Sequence, residues 1–156
     1  MAKIESGHMD FDQSIFSIKE LVESLDFMME GRVKQKNIDY TFINKNVETK
    51  TVFGDEMRLK QVFVNILDNA FKFTDYGGKI TFEMEELSKD DSHVVMCFKI
   101  SDTGCGMSKE TKKRIFDAFY QEDTAYSAKR VGTGLGLAIT KSIVDMMNGK
   151  IRVESI

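Results

Sequence analysis

Proline and tryptophan are absent from the 156 residues, and cysteine and histidine occur only twice each. Without proline, helix ends have to be set by glycine and by Ser, Thr, Asp or Asn caps. Cys97 and Cys105 are too few and wrongly spaced for a disulfide framework or a four-ligand zinc site, and His8 and His93 lie far apart. No apolar stretch approaches the roughly 20 residues that span a bilayer, and the N-terminus has no apolar segment of signal-peptide type. The chain therefore reads as cytosolic, with no membrane insertion of its own and any anchor of a parent protein outside it. A net charge of -3 leaves no basic surplus to neutralise a phosphate backbone, which argues against nucleic acid as a main partner.

What is present is ordinary globular composition for one domain, 42% hydrophobic and 30% charged. Residues 1–8 are polar and patternless, the tail of something upstream. From Ile18, Leu21, Val22, Leu25, Met28, Met29 and Val33 recur at spacings of three and four, which predicts an amphipathic helix from about Ser17 to about Lys36. Ile38, Tyr40 and Phe42 alternate with polar residues and predict a strand, with a short second one at Thr51-Val52-Phe53. Asp55 is placed to cap a helix carrying Leu59, Val62, Phe63, Ile66, Leu67 and Ala70. Strands follow at Lys79–Glu86 and Val94–Ser101, joined by a hairpin tip at Lys89-Asp90-Asp91-Ser92. A short helix is expected over 109–116, no periodicity over 117–133, and a last helix from Leu135 to Met147 that Asn148-Gly149 stops, before a strand from Lys150 to Glu154. This order implies a two-layer α/β sandwich, with helices packed on one face of a mixed, mostly antiparallel sheet.

Three segments carry chemistry. Asn65, Asn69 and Lys72, spaced four and three apart, project from one stripe of their helix, while Ile66, Leu67 and Ala70 take the other side. Neutral amide oxygens can join a magnesium shell completed by phosphates and waters, and a lysine can meet phosphate charge; the same residues also suit a plain solvated face. Asp102 ends a strand and precedes Thr103-Gly104-Cys105-Gly106. A fixed carboxylate there can accept from an exocyclic amino group such as that of adenine, and the glycines admit a flat ring; an ordinary tight turn fits as well. Asp-Thr-Gly is also the aspartic protease motif, but that chemistry pairs two carboxylates and one copy is present, so only a homodimer would satisfy it. Gly132, Thr133, Gly134, Leu135 and Gly136 fit neither the dinucleotide fingerprint nor the Gly-Lys-Ser/Thr phosphate loop. They leave a loop opening a helix N-terminus, a feature that favours phosphate. Phe116, Phe119 and Tyr120, with Lys129 and Arg130, bracket an irregular segment able to close over a ligand or simply to pack on the core.

In combination and order, these segments resemble the catalytic and ATP-binding domain of bacterial sensor histidine kinases, within the Bergerat-fold ATPases that include gyrase, over about residues 9–154. Asn65 to Thr74 resembles the N-box, Asp102 to Gly106 the first glycine box, Ile115 to Phe119 the phenylalanine box and Gly132 to Leu137 the second glycine box; Asp55, Arg58 and Gln61 match the polar pattern that precedes the N-box. The resemblance implies ATP and Mg2+ as cofactors, Asn69 as metal ligand and Asn65 and Lys72 at the phosphates. It further implies Asp102 on the adenine amino group, with Gly104, Gly106, Phe119, Arg130, Gly132, Thr133, Gly134, Leu135 and Gly136 around the nucleotide and 117–133 as its lid. Hydrolysing members carry a glutamate base where this chain has Asn65, which favours phosphoryl donation to a partner.

Neither His8 nor His93 sits in the family's His-Glu or His-Asp phosphoacceptor motif, so no catalytic acceptor is expected in this chain. The implied partners are a dimerisation domain carrying that histidine, whose last helix residues 1–8 resemble, and a downstream response regulator. The implied setting is the cytoplasmic part of a membrane-bound sensor, with residues 9–156 forming an ATP-binding domain truncated before its last strand. A degenerate interaction module is the alternative.

Overall fold

The computed structural model describes residues 11–121 and 135–155. The chain runs β1 (Ser14–Ser17), α1 (Ile18–Val33), a 3-10 turn (Lys34–Lys36), β2 (Asp39–Lys45), β3 (Thr51–Gly54) and α2 (Glu56–Phe73). It continues through β4 (Lys79–Lys89), β5 (Val94–Asp102), α3 (Lys109–Arg114) and α4 (Gly136–Met146).

Strands β2, β4 and β5 form one sheet in that order; β2 runs parallel to β4, which is antiparallel to β5. Antiparallel β1 and β3 make a separate two-stranded ribbon. The long helices bury one stripe each against the sheet: Leu21, Leu25 and Met29 from α1, Phe63, Leu67 and Ala70 from α2, and Ile143 from α4. On the sheet side, Ile80 and Phe82 of β4 are fully buried. Phe63 lies 5.4 Å from Phe82 and 4.7 Å from Phe98 between ring centroids, so the face of α2 opposite its polar stripe is wedged into the sheet. Each of the larger of these side chains contributes about 1.5–3 kcal/mol of burial, which anchors α2 on the sheet. This is the expected two-layer α/β arrangement.

Local chemistry sets the boundaries. Ser17 accepts from the Glu20 amide at 3.2 Å to open α1; the last residues of the expected helix, Lys34–Lys36, form a 3-10 turn that the left-handed Asn37, with φ of 50°, closes. Asp90 accepts from the Ser92 and His93 amides at 2.8 and 2.7 Å, which ties the β4–β5 hairpin tip and holds its own carboxyl below the usual range.

Two expectations change. β1 was not foreseen, and the strand expected at Lys150–Glu154 does not form. Among the described residues no ladder offers that segment a partner. Instead the residue that follows it, Ser155, is tied to α3 and the loop before it: the Met107 amide donates to Ser155 Oγ at 2.8 Å and Lys112 Nζ to the Ser155 carbonyl at 3.4 Å.

Candidate functional site

The site is built on α2. Its start is fixed by the buried Asp55, which accepts from Arg58 N at 3.0 Å and from Asp12 N at 2.8 Å. Arg58 in turn donates to Gln61 Oε1 at 3.2 Å, so all three polar residues ahead of Asn65 serve the helix itself. Its end is closed by a lysine from another element: Lys36 Nζ donates to the carbonyls of Phe71 at 2.8 Å and Thr74 at 3.2 Å, and stands 4.4 Å from the Phe71 ring centroid. The ammonium meets orphan carbonyls at the negative end of the helix dipole, which stabilises that terminus.

Along the polar stripe, Asn65 Nδ2 donates to the Gly136 carbonyl at 3.0 Å and to Thr140 Oγ1 at 3.3 Å, while Thr140 Oγ1 donates to the same carbonyl at 2.9 Å. This triangle fastens α2 to the first turn of α4. The amide nitrogen of Asn65 thus faces α4, and its Oδ1 is an acceptor. Asn69 is half-buried one turn on. Lys72 is ion-paired to Asp68 Oδ2 at 3.3 Å, and Asp68 Oδ1 is held in turn by Arg32 of α1.

Asp102 is the exposed last residue of β5, and its Oδ1 accepts from Gly104 N at 2.8 Å. Thr103 continues the strand pairing, its amide donating to Lys79 O at 3.0 Å and its hydroxyl accepting from Lys79 N at 2.9 Å. Gly104 packs so closely on the end of α2 that a Cβ there would lie 2.5 Å from the Phe73 carbonyl oxygen. Gly106, with φ of 73°, takes the left-handed conformation that favours glycine. The Asp102 loop is thereby clamped to the residue that follows Lys72.

Leu135 and Gly136 open α4 beside Asn65, with Asn65 Cγ 3.7 Å from where a Gly136 Cβ would stand. Phe119, 67% exposed with φ of 63°, is displayed just beyond α3, while Tyr120 is held by Thr111 Oγ1 at 3.1 Å and by Arg114 stacked 4.5 Å from its ring centroid. Phe116 is half-buried and Cys105 exposed. Arg130, Gly132, Thr133 and Gly134 lie outside the described residues. Along the second half of α2 the structure thus sets Gly136 beside Asn65 and, two turns on, the turn after Asp102 against Phe73, the residue that follows Lys72. Sequence reasoning missed Thr140, Asp68 and Arg32; only the Asp68–Lys72 spacing of four was a visible signal.

A shallow cavity of about 420 Å³ lies elsewhere, between α1 and β2, lined by Asp26, Glu30 and Asp39 with Val33, Ile38, Tyr40 and Phe42. Tyr40 donates to Asp26 Oδ1 at 2.7 Å, burial pushes the Asp26 carboxyl up, and burial together with that carboxylate pushes the phenol up. Three carboxylates and no cation make it unsuited to a polyphosphate.

The second half of α2 carries two amides and a lysine, faces the start of α4 and packs on the glycine turn after Asp102, a set of groups that suits a nucleotide. The family described as histidine kinase-, DNA gyrase B- and HSP90-like ATPase matches residues 54–156, so the chain belongs to that family, as an ATP-binding catalytic domain of the histidine kinase type. Similar curated proteins include hybrid signal transduction histidine kinase B of Dictyostelium discoideum, 36% identical over 155 residues that make up 99% of this chain and 8% of that protein. Another is the sensor histidine kinase GacS of Pseudomonas protegens, 33% identical over 154 residues, 99% of this chain and 17% of that one. The chain therefore spans under a fifth of the length of these relatives. Among solved structures, the nucleotide-free catalytic domain of histidine kinase ThkA superposes with a TM-score of 0.75 at 29% identity, covering 92% of this chain and 89% of that one. Full-length ShkA in complex with AMPPNP gives 0.74 at 26% identity, covering 99% and 31%. Among the described residues no helix is long and apolar enough to cross a membrane.

Proposed function

We propose that this domain presents the γ-phosphate of magnesium ATP to a histidine on a separate dimerisation domain, whose phosphate then passes to a response regulator. The observation that carries the reading is the close approach of Gly104 to Phe73. It sets the Asp102 carboxylate beside the end of the helix that bears Lys72 and Asn69, so that base and phosphate recognition share one rigid frame. Asp102 would accept from the adenine amino group, and Gly104 and Gly106 leave room for the ring. Lys72 would meet phosphate charge, and Arg130 with the Gly132–Gly136 segment would close the phosphate side next to Asn65.

The metal would sit at Asn69. Among the described residues no three His, Cys, Asp or Glu side chains gather as a metal-holding group, and a single neutral amide suits an ion that arrives with the nucleotide's phosphates. Bound there, magnesium would supply charge neutralisation at the transferred group. The chain's own residues position: Asn65 is committed to α4 and is not a general base, which favours transfer to a partner over attack by water. In keeping with that, neither described-region His93 nor His8 stands in an acceptor motif.

Calorimetric titration with a nonhydrolysable ATP analogue and magnesium tests the site. We expect binding that falls at least tenfold in Asp102→Ala and in Asn69→Ala; unchanged affinity in both would overturn the reading. Mixing the chain with a candidate dimerisation domain and labelled ATP should then yield acid-labile phosphate on histidine, and its absence across such domains would remove the transfer step.

A further inference from the structure

Asp68 holds two cations from two helices at once: Lys72, four residues on, at one carboxylate oxygen, and Arg32, at the end of α1, at the other. All three side chains are about one-third exposed, so the ions are accessible enough to exchange partners without passing through a dry interior. Arg32 is further held 6.0 Å from the Phe71 ring centroid, on the same turn of α2 as Lys72. The lysine assigned to the phosphates is thus already occupied by an anion of its own helix.

We infer that Asp68 is a positioning residue that holds Lys72 back, and that Arg32 sets the strength of that hold. With Arg32 in place, the carboxylate divides its attraction between two cations and keeps a partner when Lys72 swings toward phosphate. Release then leaves no uncompensated anion on the protein. Without Arg32, Asp68 would have Lys72 alone, and each phosphate group would have to compete with an undivided ion pair. The inference rests on the proposal that Lys72 meets phosphate, and it concerns phosphate recognition only, not the adenine.

The test is a set of binding cycles on the whole 156-residue chain, titrated with the magnesium ATP analogue and, separately, with adenosine. Asp68→Asn, which keeps the side-chain shape, should tighten the analogue by about two- to fivefold, the range of a half-exposed ion pair, and leave adenosine unchanged. Arg32→Gln should weaken the analogue by a similar factor in the native background and have no effect in the Asp68→Asn background. The gain from Asp68→Asn should vanish once Lys72 is replaced by Met. If the Asp68→Asn and Arg32→Gln effects instead simply add and cancel in the double variant, the two residues act only as remote charges and the inference falls. It falls equally if the Asp68→Asn gain survives in Lys72→Met, a comparison that needs no Arg32 variant to fold. A native chain that binds neither ligand overturns the nucleotide reading itself, whereas native binding with additive cycles overturns only the role given to Asp68 and Arg32.

Discussion

The two ends of the proposed nucleotide site are built differently. At the base end, position is enforced by backbone pressed on backbone: Gly104 against the Phe73 carbonyl, with Thr103 locked into the strand pairing by Lys79. At the phosphate end, position is enforced by side chains that already have partners, Asn65 with α4 and Lys72 with Asp68. A steric frame admits one geometry and fails when filled. An exchangeable set of polar contacts can trade a protein partner for a ligand at small cost, which suits the end where charge must be gathered and let go.

The sharpest way to break this contrast is to add one methyl group at the base end. Gly104→Ala drives a Cβ to 2.5 Å from a helix-end carbonyl that cannot yield like a flexible side chain. We expect a loss of about 2–3 kcal/mol in stability. Thermal unfolding should show it as a drop of roughly 5–10 °C, with ATP-analogue affinity at least tenfold weaker; an unchanged melting temperature would mean that the close approach does not define the loop. Next in size, Asn65→Ala removes both hydrogen bonds from α2 to the start of α4 and should cost about 1 kcal/mol in denaturant unfolding. Nucleotide binding should weaken as the two helices loosen; a stability loss above that of Gly104→Ala would invert the comparison. Smallest is Gly136→Ala at the phosphate end. Among the described residues its Cβ would meet nothing nearer than Asn65 Cγ at 3.7 Å, an ordinary contact, so stability should stay within about 0.5 kcal/mol. Glycine-to-alanine changes at the two ends should therefore differ by several degrees in melting temperature, and equal responses would show that one mechanism builds both.

The long elements were legible because each has enough turns to declare its period. Phe63, Leu67 and Ala70 fall on the buried side of α2 as their spacing requires, and Ile80, Phe82 and Met84 share the inner face of β4. β1 was not legible: it is four residues long, with Ile15 74% exposed and Phe16 buried, and its partner β3 is far along the chain. The reverse error came at Lys150–Glu154, where Ile151 and Val153 alternate as a strand does. Alternation reports only what a segment would do if a neighbour offered a ladder, and here Met107 and Lys112 hold the next residue, Ser155, instead. At the site, residue types and local spacing announced Asn65, Lys72 and Asp102. They could not announce that Asn65 bonds a carbonyl 71 positions away, or that Gly104 presses on Phe73, since both depend on how α2 meets the sheet and α4. Arg32 is the extreme case, ordinary at the end of its own helix and significant only because α1 passes beside Asp68.

Lys36 deserves a kinetic reading. Helix ends ordinarily fray, and their last amides exchange with solvent through small local openings. Here the final carbonyls of α2 are collected by an ammonium that belongs to the turn after α1, so the last turn of one helix cannot open without releasing the end of the other. The amides from Ala70 to Thr74 should exchange deuterium slowly, and on the same clock as those at the end of α1. The stretch that carries Lys72 would then move, when it moves at all, as part of a two-helix unit rather than as a loose end.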